Sequence, residues 1–531
     1  MSAISKFGFS TALLTSPCFG INSISELSLE EKVGQIMMVT FFGEVANENA
    51  RKVVQELKVG GVIYYNWANG LTSPSQVKTL SAGLQKMTEE NLHPIPLFIA
   101  TDQEGGVVAR LSEGFTTFPG NKALGETNDV NLAEGSAFVM GQEMLFAGVN
   151  MNFAPVVDIN NNPRNPIIGV RSYGDTPETV IAFGEKALLG YRKSGVIATL
   201  KHFPGHGDVE VDSHEDLPVI RKSMDALRSM ELIPFARLAE KADVIMTAHL
   251  LVPALDAENC STLSKKTLSY LRNEIGFQGV IISDSLVMEG VLKQCSSIEE
   301  VAIRALNAGC DILLFGGKKI IGSDRNEELF FEELQKIQQS IVEAVKTGRV
   351  LEERVNEAVE RILNLKKCCR PSEAEVVNTE AHRSLSMEIA TRALGVTQKP
   401  SISMESLNEK KIAIFAPKIL QNNISKTSLL ELGKERELCY YASLSPSEEE
   451  IAEAIQRAQI ADVSLVFSCN AWKNPSQVVL AQSLLALKKS VILVVSRDPQ
   501  DSRFFSEADL VFQTFSPSSS SIQAVCDRLK D

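Results

Sequence analysis

The chain contains no run of eighteen or more apolar residues, so no membrane-spanning helix is expected. It contains no Cys-x-x-Cys pair. Its nine cysteines (Cys18, Cys260, Cys295, Cys310, Cys368, Cys369, Cys439, Cys469 and Cys526) are odd in number and scattered. That supports neither a zinc ribbon nor a disulfide framework, and reads as free thiols in a reducing compartment. Basic residues are in the minority: 53 Lys and Arg against 66 Asp and Glu leave a net charge of -13. This excludes a general nucleic-acid binder, whose phosphate contacts need basic patches. A small neutral or anionic ligand is not excluded, because a few local arginines override the overall field. No low-complexity tract or solenoid-length repeat is present. At the N-terminus, Lys6 and a mildly apolar stretch precede Cys18, but Ser10 and Thr11 interrupt the apolar core and Pro17 is a poor cleavage context. The expectation is a cytoplasmic protein, with export or lipid anchoring through the segment ending at Cys18 as the alternative.

What is present is a long, regular α/β rhythm. The 531 residues, 44% hydrophobic and 22% charged, exceed one ordinary core and predict two globular domains. Short β-branched runs at residues 36–42, 61–65, 96–101, 150–157, 196–200, 244–248, 280–283 and 311–315 alternate with helical patterns at 75–90, 132–146, 176–194, 223–241 and 297–308. Eight strands in such alternation predict a (β/α)₈ TIM-type barrel over residues 25–367. A doubly wound open sheet is the competing arrangement. Residues 1–24 read as a tail and 368–410 as a linker. A second, smaller Rossmann-like α/β sandwich is expected over 411–531, with strands at 411–416, 438–441, 463–467, 491–495 and 510–514 and helices at 447–458 and 475–487. That second part shows no catalytic constellation and no glycine-rich phosphate loop, which predicts a packing role.

The polar residues gather where barrel enzymes build their sites, at the C-terminal ends of strands. Asp102-Gln103-Glu104-Gly105-Gly106 follows the third strand, with Arg110 beyond; Asp158, then Arg171-Ser172, follow the fourth; His249 ends the sixth. After the fifth comes Lys201-His202-Phe203-Pro204-Gly205-His206-Gly207-Asp208, with Asp212-Ser213-His214 just beyond. Pro204, Gly205 and Gly207 forbid a regular helix there, so Lys201 and His202 are expected on a loop. Asp284 ends the apolar seventh strand and suits a nucleophile for an anomeric carbon; capping of the following helix by residues 283–285 is the competing reading. Asp212 and His214 point the same way in an extended loop, so the carboxylate can orient the imidazole for acid–base work; a local Asx turn is the alternative. Arg110 and Arg171 are candidate forks for an anion or a hydroxyl, or else surface ion pairs. His202, His206, Asp208 and His214 are a poor zinc set, because H-x₃-H ligation needs a helix.

These blocks, in this order, resemble the β-N-acetylglucosaminidase branch of glycoside hydrolase family three. The resemblance rests on the histidine loop, on Asp102 to Gly106 with Arg110, on Asn152-Phe153-Ala154-Pro155-Val156-Val157-Asp158, on Arg171-Ser172-Tyr173-Gly174 and on Ser283-Asp284-Ser285-Leu286-Val287-Met288. Leu27-Ser28-Leu29-Glu30-Glu31-Lys32-Val33-Gly34-Gln35 is similar to the family's opening helix. The resemblance implies a retaining exo-glycosidase for terminal non-reducing β-linked N-acetylglucosamine, acting on cell-wall muropeptides. Asp284 would be the nucleophile and His214, paired with Asp212, the acid–base group. Asp102, Arg110, Arg171, Lys201 and His202 would hold the sugar; no metal or organic cofactor is implied. The alternatives are a phosphorylase using phosphate in place of water, a β-glucosidase of the same family, and a non-catalytic sugar-binding protein. Two departures bear on specificity: Val107 stands where an arginine is common, and Ser285 where a second acid is frequent.

Overall fold

The computed structural model describes residues 23–210, 217–317, 328–369, 376–398 and 404–530. Eight parallel strands form the first sheet: β1 (Met37–Val39), β2 (Gly61–Ile63), β3 (Phe98–Thr101), β6 (Met151–Asn152), β7 (Ile197–Phe203), β8 (Val244–Thr247), β9 (Val280–Ile282) and β10 (Leu313–Phe315). A short hairpin, β4 (Gln103–Gly105) with β5 (Val108–Ala109), stands on the rim after β3. β1 pairs with both β10 and β2. The other end of the sheet returns to β10 through a parallel bridge between Ile282 and Ile312 and a 2.7 Å bond from the Asp311 N–H to the Ile281 carbonyl, so the barrel closes. Every residue of the eight strands is buried. This is why they are continuous apolar runs rather than alternating ones: a parallel sheet is covered on both faces.

The surrounding helices carry their own start signals. Ser73 and Thr176 cap helices Pro74–Thr88 and Pro177–Ser194, each followed by proline at the first helical position, where its missing N–H costs nothing. Gly195 then turns left-handed at φ 91° and feeds the chain into β7.

β7 departs from the expected strand. It does not stop at Leu200 but runs through Lys201 and His202 to Phe203, so these two residues are not on a loop. Their backbone groups find ladder partners: Val157 donates to the Lys201 carbonyl at 2.9 Å and Ala248 to the Phe203 carbonyl at 2.7 Å. The register shifts between Leu200 and Phe203. Neighbouring strand residues normally face opposite sides; the irregularity re-aims them, and both Lys201 and His202 line one cavity.

The second sheet has the order β11-β16-β15-β14-β12-β13. Its strands are β11 (Gly395–Gln398), β12 (Lys411–Pro417), β13 (Glu435–Tyr441), β14 (Val463–Ser468), β15 (Ser490–Val495) and β16 (Leu510–Gln513). Helices Glu448–Ile460 and Pro475–Leu485 cover one face through Ala458 and Leu484, while Ser519–Lys530 covers the other through Ile522 and Val525. The stretch expected as a linker, 368–410, carries structure of its own. Helix Glu380–Ala393 packs Ile389 into the barrel's core, and β11 adds an antiparallel edge beside β16.

Candidate active site

A cavity of about 320 Å³ opens at the C-terminal ends of the barrel strands. Asp102, Arg110, Arg171, Lys201, His202 and Asp284 all line it, contributed from β3 through β9. Asp212 and His214 lie outside the described residues.

The floor is an alternating chain of charge. Lys201, 2% exposed, reaches Asp102 at 2.9 Å and Glu104 at 2.7 Å. Glu104 in turn receives both fork donors of Arg171, at 2.9 Å from Nε and 2.8 Å from Nη2. Burial alone would raise the Glu104 pKa, but Arg171 and Lys201 hold it at about 2. Burial would lower the Lys201 pKa; Asp102 and Glu104 overcome that and raise it. Both stay ionised through the physiological range. The Arg171 fork is thus engaged by a carboxylate of its own chain and shapes the wall. Arg110 is looser: its guanidinium lies 3.9 Å from Asp102, and its Nε has no hydrogen-bond partner among the described residues.

A second acid organises the histidines. Asp158, fully buried, accepts the backbone N–H of His202 at 3.1 Å and of His206 at 2.7 Å. Its other oxygen accepts from His202 Nδ1 at 2.6 Å, which leaves His202 Nε2 to accept from Arg171 Nη2 at 3.4 Å. Burial would raise the Asp158 pKa, but His202 beside it brings it below the usual value. His206 stands edge-on to His202 at 5.9 Å. Burial, with His202 adding to it, lowers its pKa to about 4, so it is neutral at pH 7. The glycines of this segment answer close packing rather than flexibility. Gly205 adopts φ +122° against Glu231, and a Cβ on Gly207 would fall 1.6 Å from the Ile159 carbonyl oxygen.

Asp284 sits where β9 ends. Its N–H faces the Thr247 hydroxyl at 3.4 Å, and the Ser285 N–H donates to Asp284 Oδ1 at 2.7 Å. The helix-cap reading of residues 283–285 fails, because the next helix, Glu289–Leu292, begins only after Met288. The turn is held instead by buried polar groups. His249 Nε2 donates to the Ser285 carbonyl at 2.9 Å, leaving Nδ1 to accept from the Thr262 hydroxyl at 2.8 Å. Ser285, which stands in place of the frequent second acid, donates to the Gly316 carbonyl at 2.5 Å.

The structure thus adds residues to which sequence reasoning gave no role: Glu104, Asp158, His206 and His249. Their signal was position alone, at or just beyond a strand tip. An ionised, water-shielded floor beside a carboxylate at a strand end can bind an uncharged polyhydroxyl ring and attack it.

Comparison with known proteins agrees. Residues 28–365 match the glycosyl hydrolase family 3 N-terminal domain. A beta-hexosaminidase A of Pseudoalteromonas piscicida is 32% identical over 435 residues, 77% of this chain and 71% of that protein. A beta-hexosaminidase of Pseudomonas aeruginosa (strain LESB58) is 34% identical over 279 residues, 52% of this chain and 80% of that protein. Among solved structures, a family 3 beta-N-acetylglucosaminidase from Paenibacillus sp. str. FPU-7 superposes with a TM-score of 0.84 at 33% identity, covering 95% of this chain and 97% of that one. The chain belongs to glycosyl hydrolase family 3 and is a glycoside hydrolase.

Proposed function

We propose that this glycoside hydrolase releases terminal, non-reducing β-linked N-acetylglucosamine with retention of configuration. The observation that carries the reading is the meeting of Asp284 with Asp102, Arg110, Arg171, Lys201 and His202 around one small cavity. A volume of about 320 Å³ lies at the low end for ligand pockets, which favours a single terminal sugar over an internal stretch of polymer. The names of the similar proteins support the N-acetyl substrate class, and the histidine-loop resemblance extends it to cell-wall muropeptides.

In the first step of this mechanism an Asp284 oxygen bonds to the anomeric carbon while the bond to the leaving oxygen breaks. His214, oriented by Asp212, gives that oxygen its proton. In the second step the now neutral imidazole takes a proton from water, the water oxygen bonds to the anomeric carbon, and the ester to Asp284 breaks. Asp102, Arg110 and His202 hold the ring hydroxyls, and the Lys201–Glu104–Arg171 chain keeps those groups in place.

The test compares an aryl β-N-acetylglucosaminide with the aryl β-glucoside, for the parent and for Asp284→Ala. The expected result is activity on the first substrate only, a β-anomer as first product, and a loss of about a thousandfold or more in the variant, as removal of a covalent nucleophile gives. An α-anomer or an undiminished variant would refute the mechanism.

A further inference from the structure

Asp208 ends the polar block that begins at Lys201, yet the mechanism above gives it no part. The described chain leaves this block at Glu210 and returns at Leu217; Asp212 and His214 belong to the residues between. Hydrogen bonds hold each flank to the barrel. On the leading side the His206 N–H donates to Asp158, and its carbonyl accepts from Asn165 Nδ2 at 2.8 Å. On the returning side Ile220 donates to the Leu251 carbonyl at 3.0 Å, and Leu251 to the Pro218 carbonyl at 2.9 Å. These bonds fix the flanks separately. Lys222 joins them: its ammonium reaches Asp208, on the leading flank, at 2.7 Å and Glu231 at 2.5 Å.

Glu231 makes this more than a surface pair. It lies between helices Met224–Ser229 and Ile233–Leu238, and its side chain is 2% exposed. Its Oε1 accepts from Lys222 and, at 2.9 Å, from Asn161 Nδ2; its Oε2 has no hydrogen-bond partner among the described residues. Its backbone packs on the leading flank as well, since a Cβ on Gly205 would fall 3.0 Å from the Glu231 carbonyl oxygen. Burial would lower the Lys222 pKa, but Asp208 and Glu231 overcome that and raise it, so the cation keeps both bonds at neutral pH. The Lys222 and Asp208 side chains are 25% and 27% exposed, and an ion pair that open adds little to stability. What it does is tie two chain segments to one buried carboxylate. The pair of Arg164 with Glu210, farther along the leading flank, has no buried member. Joining the ends of a loop narrows the space that its middle can sample. A group carried there then meets a bound substrate in fewer wrong placements, and a misplacement of about 1 Å costs up to about a hundredfold in rate.

We propose that Lys222, bridging Asp208 and Glu231, is a positioning residue for the acid–base group: it fixes both flanks of the segment that bears Asp212 and His214. This rests on the reading of His214 as that group. The experiment measures kcat/KM of the full chain on aryl β-N-acetylglucosaminides whose phenols range from activated to poor leaving groups. Lys222→Met is expected to lose about tenfold or more on the poorest leaving group and less than about threefold on the most activated. Lys222→Arg, which keeps the charge, should recover most of the loss. In the His214→Ala background Lys222→Met should cost less than about twofold on any substrate, because its effect runs through the imidazole. An equal loss across leaving groups, a loss that adds in full to that of His214→Ala, or an unchanged profile would overturn the proposal. Asp208→Asn leaves Glu231 its cation and parts only the two flanks, so it decides the matter if Lys222→Met does not fold: the same selective loss is expected, and a uniform or absent loss would overturn the bridge. Failure of the reading beneath looks different: His214→Ala itself would lose equally on every leaving group, or the parent would cleave none of the substrates.

Discussion

Glu104→Gln isolates the ionic floor. The Glu104 side chain is 1% exposed and lies between Lys201 and Arg171, so little of its field is lost to water. The fall of its pKa from the ordinary 4.5 to about 2, at about 1.4 kcal/mol per pH unit, corresponds to about 3 kcal/mol of folding free energy at neutral pH. The sign follows from the depressed value. The stabilisation is complete above pH 4.5 and is lost as pH falls towards 2, because the unfolded chain takes up the proton first. The substituted amide would present one acceptor and an NH₂ to two cations, leaving a buried charge uncompensated, and such losses reach about 3–5 kcal/mol. Denaturant unfolding of parent and variant from pH 7 to pH 3 reads this directly. A gap of about 3 kcal/mol at pH 7 should shrink to less than about half at pH 3. A gap that stays constant or widens with acid, or a variant as stable as the parent at pH 7, would refute the ionised network.

The remaining expectations concern chemistry. His214→Ala should impair substrates with poor leaving groups far more than activated aryl ones, since only the former need a proton; uniform loss across leaving groups would count against an acid role. His202→Ala is the control, because its Nδ1 is committed to Asp158: it should raise KM with no leaving-group dependence, and a dependence like that of His214→Ala would move the acid role to His202. His249→Ala removes the clamp on the Ser285 carbonyl and should lower kcat by about tenfold or more with little change in KM, while His249→Gln, which retains a donor, should recover part of it; an unaltered kcat would mean the turn holds without it. Turnover in phosphate should yield free sugar, and accumulation of sugar-1-phosphate would identify a phosphorylase.

The barrel was legible because its strands are two-sided: runs such as Val280-Ile281-Ile282 are apolar throughout, and helices such as those capped by Ser73, Thr176, Ser223 and Ser297 announce their starts. What escaped depended on distant partners or on serine. β11 is four residues long and becomes a strand only by pairing with β16, more than a hundred residues later. Helix Ser519–Lys530 begins in a run of serines that reads as a loop, until the Ser518 hydroxyl is seen accepting the Ser521 N–H at 3.2 Å. Strand-end polar residues were readable for the same reason as the strands. Their pairing was not. Asp212 and His214 are neighbours in sequence, so a local rule suggests an acid–histidine pair. Asp158 and His202 form such a pair from 44 residues apart, and Glu104 meets Arg171 from 67 residues away. No local pattern encodes either meeting; closure of the barrel produces both.

The second domain, which shows no catalytic constellation among its described residues, touches the site's support. Lys473 donates to the Pro166 carbonyl at 2.8 Å. A Cβ on Gly169 would lie 3.2 Å from Asp498 Oδ1, while the other oxygen of that carboxylate accepts the Trp472 indole N–H at 3.0 Å. Pro166 and Gly169 belong to the loop that ends in Arg171, the partner of Glu104. Elsewhere, barrel residue Glu143 accepts from Thr116 of the barrel, from Asn378 just before helix Glu380–Ala393 and from His382 within it, with three bonds of 2.7 Å and one of 2.8 Å. A buried carboxylate with four donors is costly to open, so the helix that leads towards the second domain is tied to the barrel as well. Packing of the second domain is therefore one of the constraints that hold Arg171 in register with the floor.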